Sequence, residues 1–408
     1  MTMHMHPRAS HTASIPVKNM RVTFWGVRGT CPVFPAPHEV EEYTRQTACS
    51  TILRAAEDCV RKAAKAGGKL SVEEILEGPI DAATVAAYQR KLGLPELPVY
   101  GGETTCVEVE TAEGNVIILD GGTGVRHCAL RIVKNWASRH DRRVSIFFSH
   151  EHLDHRSGLP FSRFCFVNPN PYTLNIYGSN QFLFALDKRL GVFSRSIEQA
   201  TYFDDPLDFS MMSAVFHGIE LRDASNLNGV NTKRIAPWEI ADIRNPVRIG
   251  KTLVTAFPVY HGNCRCLAYK IEHGGAKFVF CTDHELRHGT DPNDLRQKLS
   301  MEAEENLRVQ CMDADVAYFD GQYYLSEYKG EKGIGSSPPI PRLDWGHSCI
   351  EDVFARIEQC RIKRTYIGHH DPDREWAEQV KQDVELAEYS SKHSCHVELA
   401  KGDSLVNL

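Results

Sequence analysis

The densest group of chemically versatile side chains lies in the sequence S-H-E-H-L-D-H-R-S-G-L, which begins at Ser149. Three histidines and an aspartate fall within six residues: His150, His152, Asp154 and His155. Imidazole nitrogens and a carboxylate form a ligand set that suits zinc, iron or manganese better than calcium. The alternative is a solvated loop that is rich in histidine, but so many polar side chains need either solvent or buried partners. The spacing therefore predicts a metal site.

A buried strand is predicted directly before this cluster. The run from Val144 to Phe148 is rich in β-branched and aromatic residues, as buried strands are. The histidines follow at the end of the strand, where the backbone can turn. Several side chains can therefore converge on one point.

Further donors follow three later strands. His261 comes after T-L-V-T-A-F-P-V-Y, Asp283 after K-F-V-F-C-T and His369 after R-T-Y-I-G. A single histidine after a strand is more often a hydrogen-bonded loop residue, but here the placement repeats that of the cluster. Two metals about 3.5–4 Å apart need more ligands than one loop provides. The predicted metal ligands are His150, His152, Asp154, His155, His261, Asp283 and His369, with Asp283 as the bridging carboxylate.

Two further histidines are candidates for roles beside the metals. His370 is adjacent to His369, and neighbouring side chains of a strand point to opposite sides. We take His369 as the ligand and His370 as an outer contact to the site or the substrate. His347, in D-W-G-H-S-C, precedes a predicted helix N-cap at Ser348. We predict that His347 is catalytic; a histidine in a surface loop is the alternative.

Composition limits the class of protein. The chain has 408 residues, of which 42% are hydrophobic and 25% charged, enough for one large α/β core with insertions or for two domains. The 47 basic and 53 acidic side chains give a formal charge of −6. This balance disfavours a protein that grips long nucleic acid through a basic face. A small anionic substrate remains compatible, because bound metals supply positive charge locally.

The sequence also indicates a compartment. No run of 18 apolar residues is present, and the N-terminus lacks the apolar core of a signal peptide, so we expect a cytoplasmic protein without a membrane partner. We expect residues 1–19 to be a disordered arm. The 13 cysteines are odd in number and form no C-x-x-C pair, so reduced thiols are expected; a second metal site at Cys264-x-Cys266 is disfavoured. The oligomeric state stays open, a homo-oligomer included.

Secondary-structure patterns place the donors on an α/β framework. Residues 38–96 are alanine-rich with helical spacing, which predicts a helical insertion. The main domain is predicted over 20–408, with residues 180–245 mixed and loop-like. Strands are predicted within 21–30 and at 106–110, 116–120, 252–258, 266–271, 277–282 and 315–320, and helices at 124–137, 293–311, 348–360 and 373–389.

The ordered set of motifs over about 20–380 resembles the metallo-β-lactamase fold superfamily. The motifs are F-W-G-V-R-G-T, G-G-E-T-T-C, L-D-G-G-T-G, S-H-E-H-L-D-H, F-P-V-Y-H-G, C-T-D-H-E, F-D-G-Q-Y-Y, D-W-G-H-S-C and G-H-H-D-P-D. Their order is similar to the phosphodiesterase-like branch, which includes ribonuclease Z and cyclic-nucleotide phosphodiesterases. The resemblance implies a four-layer αββα sandwich with two metals bound by the seven residues at one sheet edge. The chain departs from the branch at the 38–96 insertion, at Arg156 and at H-G-N-C.

The leading hypothesis for function is a dinuclear-metal hydrolase, most simply a phosphodiesterase for a small nucleotide-type or cyclic phosphodiester. His150, His152 and His261 would hold one divalent cation, and Asp154, His155 and His369 the other, with zinc favoured over iron or manganese. Hydroxide formed from water between the cations would attack phosphorus. Asp154 would also orient this nucleophile, and His347 would protonate the leaving oxygen.

Three other functions remain open. The same hydroxide could attack carbon, which would make the protein an ester, thioester or lactone hydrolase. Two irons could instead exchange electrons in a redox or gas-sensing protein, although no room remains for a flavin domain after the last residue. A degenerate binding module is disfavoured because no ligand position is missing.

Overall fold

The computed structural model describes residues 19–34, 37–68, 70–92, 100–193, 212–223, 236–291 and 293–408. The predicted disordered arm therefore lies outside the described residues, apart from Asn19. The chain divides into two compact units, residues 34–99 and residues 1–33 with 100–408. The smaller unit covers the range in which the sequence predicts a helical insertion.

The smaller unit is helical, as expected. Its helices are α1 (Pro37–Ala66), α2 (Val72–Leu76) and α3 (Ala82–Lys91). Ser71 and Glu74 form a capping box at the start of α2, in which each side chain accepts the backbone N–H of the other residue. The hydroxyl of Tyr88 on α3 donates to Asp58 on α1 at 2.8 Å. A polar contact thus joins two helices of this unit.

The larger unit contains two mixed β-sheets. The first has the strand order β15-β1-β2-β3-β4-β5-β6-β7. Its strands are antiparallel from β15 to β3 and parallel from β3 to β7. The bounds are β1 (Met20–Gly26), β2 (Cys106–Thr111), β3 (Val116–Leu119), β4 (Arg143–Phe147), β5 (Thr173–Gly178), β6 (Val215–Arg222), β7 (Glu239–Asp242) and β15 (Ser404–Asn407).

The second sheet has the order β14-β13-β12-β11-β10-β9-β8. It is antiparallel from β8 to β11 and parallel from β11 to β14. The bounds are β8 (Val247–Ile249), β9 (Thr252–His261), β10 (Cys264–His273), β11 (Ala276–Cys281), β12 (Val316–Asp320), β13 (Arg364–Gly368) and β14 (His396–Leu399).

Helices cover the outer face of each sheet. Their bounds are α4 (Val125–Asn135), α5 (Leu153–Arg156), α6 (Asn180–Leu190), α7 (Leu295–Cys311), α8 (Leu325–Tyr328), α9 (Ile350–Cys360) and α10 (Trp376–Lys392). One buried cluster joins the first sheet to α4 and α6, and another joins the second sheet to α7, α9 and α10. A third lies between the sheets. The predicted four-layer αββα sandwich is confirmed.

The core between the sheets clamps the strand that leads into the histidine cluster. Phe147, at the end of β4, stacks on Tyr177 of the same sheet at 4.2 Å between ring centroids. Its ring also meets the edge of Tyr269 from the second sheet at 5.4 Å. The Tyr269 hydroxyl donates to the carbonyl of Phe148 at 2.5 Å. Both sheets therefore fix the end of β4.

Two local expectations are wrong. Part of 180–245 is regular: α6 buries Phe182, Leu183, Leu186 and Leu190 at helical spacing, and β6 and β7 extend the first sheet. The residue predicted as a helix N-cap, Ser348, does not cap α9. Its hydroxyl donates to the carbonyl of His284 at 2.5 Å, and the N-cap of α9 is Cys349.

Two properties concern the whole chain. Each of the 13 cysteines is a free thiol. Among the described residues, no helix combines the length and the apolar character that crossing a bilayer requires.

The position of Phe147 leads to a stability prediction. Its side chain is fully buried, so Phe147→Ala should lower the free energy of unfolding by about 3–5 kcal/mol through lost burial and a cavity. Phe184, on α6, is 63% exposed, and Phe184→Ala should change the free energy of unfolding by no more than about 0.5 kcal/mol. Denaturant unfolding of both variants measures the difference. Equal losses of unfolding free energy in the two variants would contradict the role of Phe147 in packing the two sheets together.

Candidate metal centre

Strand ends bring the seven predicted ligands to one place. His150 and His152 follow β4, and α5 then carries Asp154 and His155. His261 is the last residue of β9, Asp283 follows β11, and His369 follows β13. The structure brings all seven side chains together in two adjoining groups.

The first group consists of three histidines and one aspartate: His150, His152, His261 and Asp283. Their candidate ligand atoms lie within 4.8 Å of one another. The Nε2 atom of His261 is 3.2 Å from Nδ1 of His152. Oδ2 of Asp283 is 3.5 Å from Nε2 of His150 and 3.6 Å from Nε2 of His261.

The second group consists of Asp154, His155 and His369. Nε2 of His369 lies 3.3 Å from both Oδ2 of Asp154 and Nε2 of His155. The other oxygen of Asp283, Oδ1, is 3.1 Å from Nε2 of His369 and 3.4 Å from Nε2 of His155. The two carboxylate oxygens of Asp283 thus face different groups, as the bridging role requires.

The donor spacing fits divalent cations. Four tetrahedral ligands about 2.0–2.3 Å from zinc lie roughly 3.3–3.6 Å from one another, close to the separations of both groups. Nε2 of His150 is buried and has no hydrogen-bond partner among the described residues. Such an atom is rare unless something else satisfies it. The two groups therefore suit a dinuclear metal site.

Two of the seven ligands and a neighbouring aspartate, Asp120, have positive backbone φ angles at strand ends. The φ angle is 48° at Asp283, 54° at His369 and 60° at Asp120. Residues other than glycine rarely adopt this left-handed conformation, and such strain is concentrated at functional sites. The surrounding structure must therefore hold these residues in place.

A carboxylate that the sequence analysis did not assign orients the cluster from behind. Asp120 follows β3, and its Oδ2 lies 2.8 Å from Nδ1 of His155. It also accepts hydrogen bonds from the backbone N–H of Ser149 at 2.7 Å and from its hydroxyl at 2.8 Å. With Nδ1 engaged, His155 presents Nε2 to the second group. The strand-end position in L-D-G-G-T-G could have indicated this residue.

Two glycines leave room for the histidine rings. Nδ1 of His261 donates to the carbonyl of Gly346 at 2.8 Å, and a Cβ at Gly346 would collide with that ring. A Cβ at Gly29 would likewise meet the ring of His369. The backbone N–H of Thr30 donates to Oδ2 of Asp154 at 2.8 Å. The R-G-T and W-G-H motifs thus serve the site through the backbone.

His347 lies beside both groups. Its ring stacks on His369 with 4.8 Å between centroids and is 5.4 Å from that of His261. Nδ1 lies 2.9 Å from Oδ2 of Asp320, the last residue of β12. Burial lowers the pKa of His347, but Asp320 outweighs burial and raises it to about 9. In the metal-free protein His347 is therefore an imidazolium at neutral pH.

A buried carboxylate holds the loop that carries His347. Glu285 accepts the backbone N–H of Asp344 at 2.8 Å and that of Gly346 at 2.9 Å. It also accepts the hydroxyl of Tyr328 at 2.5 Å. The loop is thus fixed on both sides of Trp345. Sequence analysis assigned no role to Glu285.

Protonation states in the first group suit metal ligation. Burial lowers the pKa of His150 well below its usual range and that of His261 to about 4. Burial raises the pKa of the Asp283 carboxyl, but His369, His155 and His150 outweigh this and hold it well below its usual range. Neutral imidazoles and an ionised carboxylate are the forms that bind metals.

The pKa of His155 is shifted in the opposite direction from those of His150 and His261. Burial lowers its pKa, but Asp154, Asp283 and Asp120 outweigh burial and raise it well above the usual range. A cation in the second group would therefore displace a proton from His155. When no cation is bound, the positive charge of protonated His155 offsets part of the negative charge of these three carboxylates.

His370 does not join the donors. Its Nε2 lies 2.8 Å from the carbonyl of Ala400, and the ring is buried. Its contact is therefore with the backbone after β14 rather than with the seven side chains.

Comparisons with known proteins identify the family of the chain. A β-lactamase superfamily domain matches residues 115–370. No match is found among curated proteins. Among solved structures, zinc-bound PqqB from Methylobacterium extorquens is 13% identical, with 95% of this chain and 100% of that chain covered and a TM-score of 0.52.

Two other solved structures are similar at lower TM-scores. The short form of human tRNase Z is 14% identical, with 95% of this chain and 98% of that chain covered and a TM-score of 0.46. The metallo-β-lactamase fold protein YhfI from Bacillus subtilis is also 14% identical, with 95% and 99% covered and a TM-score of 0.46. The family match spans well over half of the chain and includes all seven donors, so the chain belongs to the metallo-β-lactamase superfamily.

Proposed function

We propose that this protein is a metal-dependent phosphodiesterase that hydrolyses a small phosphodiester of nucleotide or cyclic type. The supporting observation is the placement of Asp283 between the two donor groups, with the His347 imidazolium beside them. Zinc is the favoured metal, and iron or manganese are the alternatives.

The residues divide between two cations. His150, His152 and His261 would hold one, Asp154, His155 and His369 the other, and Asp283 would contact both. When bound, two divalent cations supply Lewis acidity, which activates water and neutralises charge on phosphoryl oxygens. The protein fixes the donors through Asp120 and the carbonyl of Gly346. Asp154, held by the N–H of Thr30, would also orient the nucleophile.

The balance of charge favours an anionic substrate. The seven donors include only two carboxylates, Asp154 and Asp283, against two divalent cations. Asp120 and Asp320 add negative charge behind His155 and His347, but the His347 imidazolium adds positive charge at the centre. Two divalent cations and this imidazolium carry one positive charge more than the four carboxylates before water loses a proton, which attracts a phosphodiester more than a neutral ester or lactone.

His347 is suited to protonate the leaving oxygen. Asp320 engages its Nδ1, so the proton on Nε2 is the one available for transfer. In the metal-free protein Asp320 helps to raise the pKa of His347 to about 9, and we propose that this carboxylate keeps the proton on the ring at neutral pH when metals are bound. We also propose that Trp345, two residues earlier and 51% exposed, stacks on a base of the substrate with the ring face that Arg342 leaves open.

The proposed ligand set predicts a loss of metal. His152→Ala should reduce both bound metal and turnover, because it removes a donor from the first group. His127→Ala should change neither, since His127 is 40% exposed at its side chain and pairs with Glu103. Elemental analysis of the purified variants measures the metal. Full metal content in His152→Ala would contradict its assignment as a ligand.

The proposed acid predicts a loss of turnover that depends on the leaving group. His347→Ala should retain the metals, but kcat for a cyclic nucleotide should fall about 10²–10⁴-fold because the alkoxide needs a proton. For bis-p-nitrophenyl phosphate the loss should be smaller, because p-nitrophenolate leaves without one. An equal loss on both substrates, or full activity on both, would remove His347 from proton transfer.

The substrate class can be tested directly. The metal-replete protein should show higher kcat/KM for cyclic nucleotides, dinucleotides or short RNA than for lactones and thioesters, because the centre carries net positive charge. Parallel assays at one pH and one salt concentration measure the ratio. A preference for neutral lactones would contradict the phosphodiesterase proposal and support the hydrolysis of carboxylic esters.

A further inference from the structure

We propose that His288, Cys349 and Asp352 form a second metal site, for one zinc ion or a similar divalent cation. One candidate ligand atom from each residue lies within 4.8 Å of the other two. None of the three belongs to the groups that contain the seven donors described above. The inference does not rest on the proposed phosphodiesterase activity.

The first turn of α9 supplies two of the three donors. Cys349 is the N-cap of this 11-residue helix, and Asp352 lies in its first turn. His288 comes from the segment after β11, and its Nε2 is 2.9 Å from Oδ2 of Asp352. Two distant parts of the chain therefore meet at this point.

An ion pair between His288 and Asp352 would account for those two side chains, but it gives the thiol of Cys349 no partner. Cys349 is only 1% exposed, and within the described part of the chain no hydrogen bond engages its sulfur. Tyr323, Tyr328 and Ile334 pack around it. Burial, together with the carboxylates of Asp352 and Glu351, raises the pKa of this thiol, so a cation would bind it by displacing its proton.

The donor types identify the class of metal. A thiolate, an imidazole and a carboxylate suit zinc and cobalt, whereas calcium and magnesium prefer oxygen donors. The N-terminus of α9 favours negative charge on both Cys349 and Asp352. The side chain of His288 is 28% exposed, which gives a cation access from solvent, and a water molecule would complete a tetrahedral shell.

A cation at this site would join two segments that also serve the seven-donor centre. Cys349 lies two residues after His347, and His288 lies five residues after Asp283. Metal ligation would therefore tie the loop of His347 to the segment of Asp283. This role is structural, because none of the three ligands contacts the seven donors in the groups described.

Cobalt substitution tests the proposal through a property that only a sulfur ligand confers. Full-length protein loaded with Co²⁺ should show a thiolate-to-cobalt charge-transfer band in the near ultraviolet, and Cys349→Ser should abolish it. Cys264 is the matched control, because its Sγ lies 3.3 Å from Nε2 of His152 in the other centre. Cys264→Ser should retain the band.

A second variant keeps the test decisive if Cys349→Ser misfolds. His288→Gln changes a partly exposed side chain, and it should bind one equivalent of zinc fewer than the unmodified protein by elemental analysis. No charge-transfer band in the unmodified protein, a band that survives Cys349→Ser, or unchanged zinc in His288→Gln would each overturn the proposal. These readouts use no phosphodiester, so their outcome is independent of the proposed activity.

Discussion

The carboxylate of Asp283 is the interaction on which the site depends. It is fully buried between two sets of histidines, and each of its oxygens faces one set. A buried carboxylate is stable only when positive charge or hydrogen-bond donors surround it. Cations would supply that charge, and the raised pKa of His155 supplies it in their absence.

The two sheets pack face to face because each has an apolar face that must be buried. Strands with buried faces must pack against each other, and their ends then meet at one edge. Phe147 and Tyr269 fix this packing next to the histidine cluster. The position of each donor segment can therefore be predicted locally, because each follows or ends a strand that its apolar residues identify.

That pattern explains which features were predictable. His261, Asp283 and His369 follow strands as His150 does, so their convergence followed from the αββα expectation. Asp120 and Asp320 also follow or end strands, but their roles depend on which ring nitrogen each histidine presents, and spacing carries no such information. The N-cap of α9 was placed one residue early, because Ser348 finds a partner in the distant carbonyl of His284. Such tertiary contacts override local preference.

The position of β1 determines when its two edges can pair during folding. β1 lies between β2 and β15, so Val22 pairs with Val109 on one side and with Val406 on the other. During synthesis, one edge of this strand stays unpaired until residues 404–407 have left the ribosome. Unpaired strand edges of this kind invite association between nascent chains. The pairing of β1 with β15 is a contact between residues that are far apart in the sequence, and such contacts slow folding.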